Sequence, residues 1–384
     1  MKDSRTVVVA LGGNAILQPG QVGTFEEQLV NVDDSARRIA RLMAAGNEVV
    51  VVHGNGPQAG NILIQQATAE KLVAPMPMDV CGAESQGQIG YMLEQCLINH
   101  LRRLKVDAPV ATLVTETVVS EDDPAFANPT KPVGPFYTEE KAKTMAIEEG
   151  FAMKEDAGRG WRRVVPSPEP REIIQLEAIR CLVARGCLVI CTGGGVPVLR
   201  ARNGQISGTA AVIDKDLAAA RLALDVGADV LLVLTDVSKV YVHYKTPQQA
   251  ALDVVDVTQM ERYVGEGHFK AGSMGPKVEA CLRVVRAGGI GIVASLTEAL
   301  EAMEGTAGTR IVPARRTWVP ATSQFDTDER RRAAAPDLLD TSLCVASVSE
   351  RKVRHGREEP TGRVSPRSLG ATGSRAALEP CAQA

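Results

Sequence analysis

The chain has 384 residues, 45% of them apolar and 23% charged, and its formal net charge is −3. This length and composition predict a globular protein with two or three domains. A nucleic-acid partner is not expected, because there is no basic excess and only 3% of residues are aromatic, and no run of about 18 apolar residues predicts a membrane span.

Three predicted strands end in glycine-rich loops. Residues 6–11 (TVVVAL) form an apolar, β-branched run that stops at residues 12–14 (GGN). Residues 48–52 (EVVVV) lead into HGNGP, and residues 187–191 (CLVIC) lead into TGGG. Such runs are typical of strands buried on both faces of a parallel sheet, where ligands bind beyond the carboxyl ends. The loops therefore predict backbone donors gathered around one anion, although a single glycine pair is more typical of a turn.

The first strand is followed by an amphipathic helix. Thr24 is its predicted N-cap, with Glu27 three residues later, and Gly46 is its predicted stop. Its apolar stripe is formed by Leu29, Val32, Ala36, Ile39, Ala40 and Met43. Strand, helix and strand together predict a βαβ unit.

The same alternation continues along the chain. Pro57 is predicted to open a second helix and Asp79 or Cys81 a third, which is followed by a strand at 109–115. A later helix is predicted near 276–287, with Pro276 at the first helical position. The remaining predictions are helices near 172–185 and 215–225, strands at 187–191, 229–234 and 290–294, and a short element near 309–312.

Two stretches depart from this pattern. Residues from about 120 to 170 include a proline-rich segment at 128–135 and a short predicted strand at 161–166, so we expect a small subdomain projecting from the sheet. Residues 314–384 hold eleven Leu, Val, Ile or Phe, which is too few for a core. We therefore expect one domain at 1–313 and a disordered, dispensable tail. Alternative origins of the tail are a frame-shifted or read-through end and a partner-binding segment.

The eight cysteines form no CxxC pair and mostly lie in apolar patterns, so buried free thiols in a reducing compartment are expected. The first residues, MKDSR, do not resemble a signal peptide. Both observations favour a cytoplasmic location.

Two predicted helices carry a lysine in their first turn. Lys215 lies between Asp214 and Asp216, and Lys277 follows a Gly-Pro pair. A lysine at this end opposes the helix dipole, which favours an anion there. A phosphate between the two helix starts would be stabilised by both lysines, whereas two solvated surface lysines are the alternative. Lys131, between two prolines, is a third candidate cation, with an ordinary loop lysine as its alternative.

The two carboxylates beside Lys215 could bind Mg²⁺, hold the lysines or cap the helix. One carboxylate is sufficient for the cap, so Asp216 is predicted to orient the cationic side chains. No metal ligand is predicted in the protein, because Mg²⁺ often keeps its waters and binds substrate phosphates instead.

Several other chemistries lack their motifs. The sequence has no GxxxxGK[ST] and no GxGxxG after the first strand, which disfavours a P-loop NTPase and a dinucleotide fold. His53 and His268 have no partner at metal-ligand spacing, and no serine or cysteine with a neighbouring base suggests covalent catalysis. Phosphoryl transfer by positioning and charge neutralisation remains, because it needs no protein nucleophile.

Six motifs support a more specific interpretation. They are VALGGNA at 9–15, HGNGPQ at 53–58, NPTKP at 128–132, KEDAGRGW at 154–161, AVIDKD at 211–216 and AGSMGPK at 271–277. Together they closely resemble the carbamate kinases of the amino acid kinase superfamily, over about residues 5–313. The NPTKP segment separates carbamate kinases from relatives that act on aspartate, glutamate or nucleotides.

The resemblance implies a three-layer α/β/α sandwich with a mostly parallel central sheet, and a homodimer. It also implies the reversible reaction of ATP and carbamate to ADP and carbamoyl phosphate, with Mg²⁺ carried by the nucleotide. In the family this reaction typically forms ATP at the end of arginine or other carbamoyl-yielding catabolism.

The resemblance further implies roles for individual residues. Lys131, Lys215 and Lys277 would neutralise the charge on the transferring phosphoryl group, and Asp216 would orient these lysines. Carbamate and the γ-phosphate would be held by Gly12, Gly13, Asn14, Gly54 and Asn55. The nucleotide side would be formed by Gly193, Gly194, Asp214, Thr235, Asp236, Val237, Tyr241 and Met274.

Three features depart from the family pattern. Residues 193–195 supply three glycines where the family usually has four, Thr209 and Ala210 replace a usual Val-Glu, and the tail after Pro313 is foreign to the family. None of them changes the lysines, so we expect an active carbamate kinase. The alternatives are a catalytically silent nucleotide-binding relative and a kinase of the same fold for another small acid.

Overall fold

The computed structural model describes residues 4–156, 160–192, 194–270 and 273–314. The described residues all belong to one unit, Met1–Thr317. Nearly all of the predicted tail lies outside the described residues.

The described residues form seventeen strands and ten α-helices. The strands are β1 (Thr6–Leu11), β2 (Glu48–His53), β3 (Val110–Thr112), β4 (Glu116–Val119), β5 (Lys131–Tyr137), β6 (Met153–Glu155), β7 (Trp161–Val165), β8 (Glu172–Ile173), β9 (Leu188–Thr192), β10 (Val196–Arg200), β11 (Ile206–Gly208), β12 (Val230–Thr235), β13 (Tyr241–Val242), β14 (Ala250–Ala251), β15 (Val254–Asp256), β16 (Ile290–Ser295) and β17 (Thr309–Val312). The helices are α1 (Phe25–Ala44), α2 (Gly56–Ala69), α3 (Met78–Arg103), α4 (Pro124–Ala127), α5 (Glu139–Glu148), α6 (Leu176–Val183), α7 (Lys215–Val226), α8 (Val257–Gly265), α9 (Met274–Arg286) and α10 (Ala299–Glu304).

Eight of these strands build the central sheet, in the order β15-β17-β16-β12-β1-β2-β9-β3. The ladders from β16 to β3 are all parallel, and only the β16–β17 pair is antiparallel. Buried strands of a parallel sheet need apolar side chains on both faces, which is why the inner residues of β1, β2 and β12 are all Val, Leu or Ala. The predicted mostly parallel sheet is confirmed.

Alternate residues of β1 enter two different cores, because successive side chains of a strand point to opposite faces. Val8 and Ala10 belong to a core completed by α6, α7, α8 and α9. Val7, Val9 and Leu11 belong to a second core completed by α1, α3 and α10. Helices therefore cover both faces of the sheet, as expected for a three-layer α/β/α sandwich.

The first helix has the predicted ends. The hydroxyl of Thr24 accepts a hydrogen bond from the Glu27 backbone N–H, and the Glu27 carboxylate accepts one from the Thr24 N–H, which completes a capping box. Gly46 follows the helix with a φ of +92°, a conformation that disfavours residues with a side chain.

The single strand predicted at 109–115 is wrong. Val110–Thr112 form the edge strand β3 of the central sheet, whereas β4 belongs to a second sheet with the order β11-β10-β4-β8. Between them, the buried carboxamide of Gln86 donates to the Thr115 carbonyl at 3.1 Å and accepts from the Thr115 N–H at 2.7 Å. The Gln86 side chain thus bonds the backbone groups of Thr115 that a neighbouring strand would otherwise bond. The chain leaves the central sheet at this residue and continues into the second sheet.

Three helix starts also differ from expectation. Residues 172–173 pair with β4, so the helix predicted near 172–185 begins only at Leu176. The third helix begins at Met78, just before the predicted Asp79 or Cys81. The helix expected near 276–287 begins at Met274, so Pro276 is its third residue rather than its first. Proline is tolerated there because the first N–H groups of a helix have no intrahelical partner.

The segment between about 120 and 170 builds a sheet of its own, with the order β5-β7-β6. Helix α5 lies between β5 and β6 in the chain, and β5 contacts α2. This arrangement agrees with the expected departure from the βα pattern, and the predicted strand at 161–166 is present as β7.

Among the residues described, none of the helices combines the length and the apolar character that a membrane span requires. All six cysteines in this part of the chain are free thiols. Five are buried as expected, and Cys181 is exposed.

Candidate active site

A single carboxylate binds two of the predicted lysines. Asp214 caps α7 by accepting a hydrogen bond from the Asp216 N–H at 3.0 Å, which places Lys215 and Asp216 in the first turn. Lys215 Nζ lies 2.5 Å from one oxygen of Asp216, and Lys277 Nζ lies 2.8 Å from the other. Helices α7 and α9 pack together and bring these groups into contact. The sequence predicted a bound phosphate between the two helix starts. The carboxylate of Asp216 already provides one negative charge at this place.

Burial and charge set the protonation of this cluster. Burial lowers the pKa of Lys215, and the neighbouring Lys277 ammonium lowers it further, while the carboxylates of Asp216 and Asp214 oppose the shift. Burial would raise the pKa of Asp216, but Lys215 and Lys277 outweigh it, so this pKa lies below its ordinary value. Two ammonium groups share one carboxylate, which leaves a net positive charge for an anionic ligand.

The third predicted lysine reaches the same cluster from the small sheet of β5, β7 and β6. Lys131 is the first residue of β5, and its Nζ lies 3.3 Å from Asp214, beside the Asp216 cluster. The preceding loop is held by Lys154, whose Nζ donates to the Pro129 carbonyl at 2.8 Å. Lys131, Lys215 and Lys277 therefore converge on two carboxylates that are two residues apart.

The first two glycine loops lie against this cluster. In register, the ends of β1, β2 and β9 place Leu11, His53 and Thr192 side by side. A Cβ added to Gly54 would lie 3.0 Å from Lys215 Cδ and 3.9 Å from the backbone nitrogen of Gly13. The backbone of Gly54 thus lies against the lysine stem with Gly13 beside it, so these two glycines border the cationic cluster.

Gly12 and the third glycine loop also make close approaches. The Gly12 N–H donates to the Leu234 carbonyl at 3.1 Å, which ties the first loop to β12. A Cβ on Gly194 would lie 2.8 Å from the carbonyl oxygen of Ile213, the residue before Asp214. Gly193 lies outside the described residues.

The two predicted asparagines have defined partners. Asn14 Nδ2 donates to the carboxylate of Asp236, and Asn55 Nδ2 donates to the hydroxyl of Ser85 at 2.8 Å. Sequence reasoning missed Ser85, because a serine within a helical pattern carries no signal of its own.

His53, at the end of β2, is fully buried. Its Nδ1 lies 3.3 Å from the Gly54 carbonyl, and its Nε2 has no hydrogen-bond partner within the described part of the chain. Burial lowers its pKa to about 4, so the ring is neutral at physiological pH.

The residues expected on the nucleotide side line two different cavities. Val237, Tyr241 and Met274 line a cavity of about 360 Å³ together with His243 and His268. Thr235 and Asp236 line another of about 370 Å³, which Gly12 and Asn14 share. Asp214 lines neither cavity and instead caps α7 and contacts Lys131.

The described residues contain no group of three or more His, Cys, Asp or Glu side chains that could hold a metal ion. Asp214 and Asp216, the carboxylates at the centre of the site, are each engaged by an ammonium group. The donor set of the site is therefore cationic and suits phosphate oxygens better than a metal ion.

This chain is similar to a known family and to known proteins over most of its length. The model of the amino acid kinase family matches residues 5–293. The carbamate kinase of Pyrococcus horikoshii is 53% identical over 311 residues, which cover 80% of this chain and 99% of that protein. The carbamate kinase of Thermococcus kodakarensis is 53% identical over 313 residues, with the same coverage of both chains.

A solved structure matches as well. The carbamate kinase from Giardia lamblia bound to AMP-PNP superimposes with a TM-score of 0.78 at 46% identity, covering 82% of this chain and 100% of that one. The three lysines, the glycine loops and these similarities lead to one conclusion: the chain belongs to the carbamate kinases, phosphotransferases of the amino acid kinase family.

Proposed function

We propose that this chain catalyses the reversible transfer of a phosphoryl group between ATP and carbamate, which yields ADP and carbamoyl phosphate. The observation that carries the proposal is the convergence of three lysines on Asp214 and Asp216 beside two glycine loops. Membership of the carbamate kinase family supports the choice of substrates.

The main barrier to this reaction is repulsion between anions, because carbamate and the γ-phosphate are both negatively charged. Lys215 and Lys277 are held by Asp216 before substrate arrives, so their charges need no reorganisation during transfer. Lys131 adds a third cation from the side of β5. A carbamate oxygen is already nucleophilic, so the reaction needs positioning and charge neutralisation rather than a general base.

The substrates are assigned to the surfaces beside this cluster. Carbamate and the transferring phosphoryl group would lie against residues 12–14, Gly54 and Asn55. The nucleotide would extend along Gly193, Gly194 and residues 235–237 toward Tyr241 and Met274. Mg²⁺ would arrive on the phosphates of the nucleotide and partly neutralise them, which suits a site whose own carboxylates are engaged by lysines.

The wider setting is also part of the proposal. We place the enzyme in the cytoplasm, which its free cysteines favour, and infer a homodimer. Its physiological direction would be ATP formation in arginine or related carbamoyl catabolism.

The test is ATP formation by the purified full-length chain from carbamoyl phosphate and MgADP, measured with a coupled assay. We expect turnover that depends on both substrates. ATP at background level would contradict the proposal. In the reverse direction, a panel of small carboxylates in competition with carbamate would reveal a kinase for another acid, because that acid would then be phosphorylated preferentially.

A further inference from the structure

The orientation of one carboxamide beside the site is fixed by a buried serine. Ser85 of α3 is fully buried, and its hydroxyl donates to the Gly82 carbonyl at 2.6 Å. A serine hydroxyl has a single proton, so toward Asn55 it can only accept. The 2.8 Å contact must therefore come from the amide nitrogen of Asn55, and the carbonyl end of that amide points elsewhere.

The carbonyl oxygen of Asn55 accepts no hydrogen bond from the residues that the structure describes. Asn55 stands at the N-cap of α2, where an asparagine oxygen normally accepts a backbone N–H of the first turn, but its side chain makes no such bond. In the described part of the chain, no other group donates to Asn55 Oδ1 either. The side chain is half-buried and follows Gly54, which contacts the stem of Lys215.

The asparagine of the first glycine loop is turned in the same way. Asn14 Nδ2 faces the carboxylate of Asp236, and an ionised carboxylate can only accept. In each of the two loops the amide nitrogen of the asparagine is thus bonded to an acceptor of the protein. An acceptor oxygen left beside an anion site is unfavourable for carboxylate or phosphate oxygens, and is suited to an N–H group of the ligand.

Carbamate and carbamoyl phosphate both carry an amino group, whereas acetate and acetyl phosphate carry a methyl group of nearly the same size. We propose that Asn55 Oδ1 accepts a hydrogen bond from this amino group, and that Ser85 is a positioning residue that holds the oxygen in place. A site that offers a hydrogen bond to an N–H group disfavours an analogue without one, because its acceptor is left unpaired. This inference rests on the proposed function and specifies how the substrate is selected.

The test compares carbamoyl phosphate with acetyl phosphate as phosphoryl donors to MgADP. We expect Ser85→Ala to lower kcat/KM for carbamoyl phosphate about tenfold, because the freed carboxamide can turn its nitrogen toward the ligand. For acetyl phosphate, kcat/KM should change less than about twofold, since no N–H group is lost. If the wild type does not turn over acetyl phosphate, its inhibition constant against carbamoyl phosphate replaces kcat/KM.

Two further variants separate specificity from general damage. Ser35→Ala removes another fully buried helical serine, whose hydroxyl shares its proton between the carbonyls of Ala15 and Asn31. It should leave the ratio of kcat/KM for carbamoyl phosphate to that for acetyl phosphate unchanged. Asn55→Ala should lower the ratio as much as Ser85→Ala, and it serves if the serine variant fails to fold. Adding Ser85→Ala to Asn55→Ala should change the ratio no further, because the serine acts through the asparagine.

The outcomes distinguish this inference from the proposed function. An unchanged ratio in both Ser85→Ala and Asn55→Ala would overturn the role of the carboxamide while carbamoyl phosphate is still used. If the ratio in the double variant falls below that of Asn55→Ala, the positioning role of Ser85 is overturned, but the role of the Asn55 carboxamide is not. Failure of the wild type to form ATP from carbamoyl phosphate would instead contradict the proposed reaction.

Discussion

The helices packed on the central sheet and the small sheet of β5, β6 and β7 hold their lysines differently. Lys215 and Lys277 have side chains only 16% and 17% exposed, and both contact Asp216 within 2.8 Å. Lys131 is 34% exposed and contacts Asp214 at 3.3 Å. The charges of Lys215 and Lys277 are therefore compensated by a buried carboxylate, whereas Lys131 forms a longer contact nearer the surface.

This difference has an energetic consequence. A buried ammonium without a partner is strongly unfavourable, so the central cluster contributes to folding as well as to ligand binding. The ion pair of Lys131 with Asp214 is only partly buried, and pairs near the surface contribute about 0–1 kcal/mol, so this contact can be exchanged for a ligand at little cost. A change in the Asp216 cluster should therefore lower both stability and turnover, whereas a change at Lys131 should lower turnover with little effect on stability.

The largest effect is expected from Asp216→Asn. Loss of this charge leaves the ammonium groups of Lys215 and Lys277 uncompensated, and breaking a buried pair costs about 3–5 kcal/mol. We expect a loss of that order in the free energy of unfolding by urea, and a fall of about a thousandfold in ATP formation. Asp225→Asn, which removes the partner of Arg221 on the same helix, is the control and should retain turnover. Turnover within about tenfold of wild type in Asp216→Asn would contradict a shared role for this carboxylate.

A smaller effect concerns His53 in the central sheet. Its pKa falls from an unfolded value of 6.5 to about 4 in the native state, because burial disfavours the imidazolium. Between these values only the unfolded chain binds the proton, so stability is complete above pH 6.5 and is lost as the pH falls. The loss should approach about 3 kcal/mol near pH 4. The lowered pKa of Asp216 stabilises the fold above its unfolded value of 3.8, and most of that contribution is lost below this value, under the window of His53.

Urea unfolding at a series of pH values measures this contribution. His53→Gln should remove most of the slope between pH 6.5 and 4, because glutamine does not titrate. His243→Gln, at an exposed position, should retain the slope. A wild-type stability that is flat over this range would contradict a buried neutral imidazole at position 53.

The smallest effect is expected from Lys131→Ala. We expect turnover to fall about a hundredfold, as for the loss of one group that stabilises transition-state charge. The free energy of unfolding should change by less than about 1 kcal/mol, because the side chain is partly exposed and its ion pair lies near the surface. Lys143→Ala, which removes an exposed lysine of α5, should change neither quantity. A loss of stability as large as that of Asp216→Asn would remove the distinction between the two regions.

Local patterns predicted the main elements of the fold correctly. The apolar runs of β1, β2 and β9 and the Thr24 capping box depend on neighbouring residues alone, and all are present. The error at 109–115 has a non-local cause, because the chain changes sheets where Gln86, from a helix earlier in the chain, binds Thr115. The start of α6 was misplaced for a similar reason, since residues 172–173 pair with β4.

The candidate site divides in the same way. Its lysines and glycine loops were identifiable because a cation at a helix start and a glycine run after a buried strand are unusual in sequence. The pairing of Lys131 with Asp214 and the division of the nucleotide-side residues between two cavities were not identifiable, because each joins residues far apart in the chain.

The sequence by itself determined that this protein has buried parallel strands ending in glycine loops, and which cations stand at helix starts. These features follow from periodicity, capping and backbone sterics within a few residues. Only the tertiary structure decided that Asp216 binds two lysines from different helices, and that Ser85 turns the carboxamide of Asn55. Hydrogen bonds and ion pairs act over about 3 Å, and only packing of the folded chain brings groups tens of residues apart within that distance.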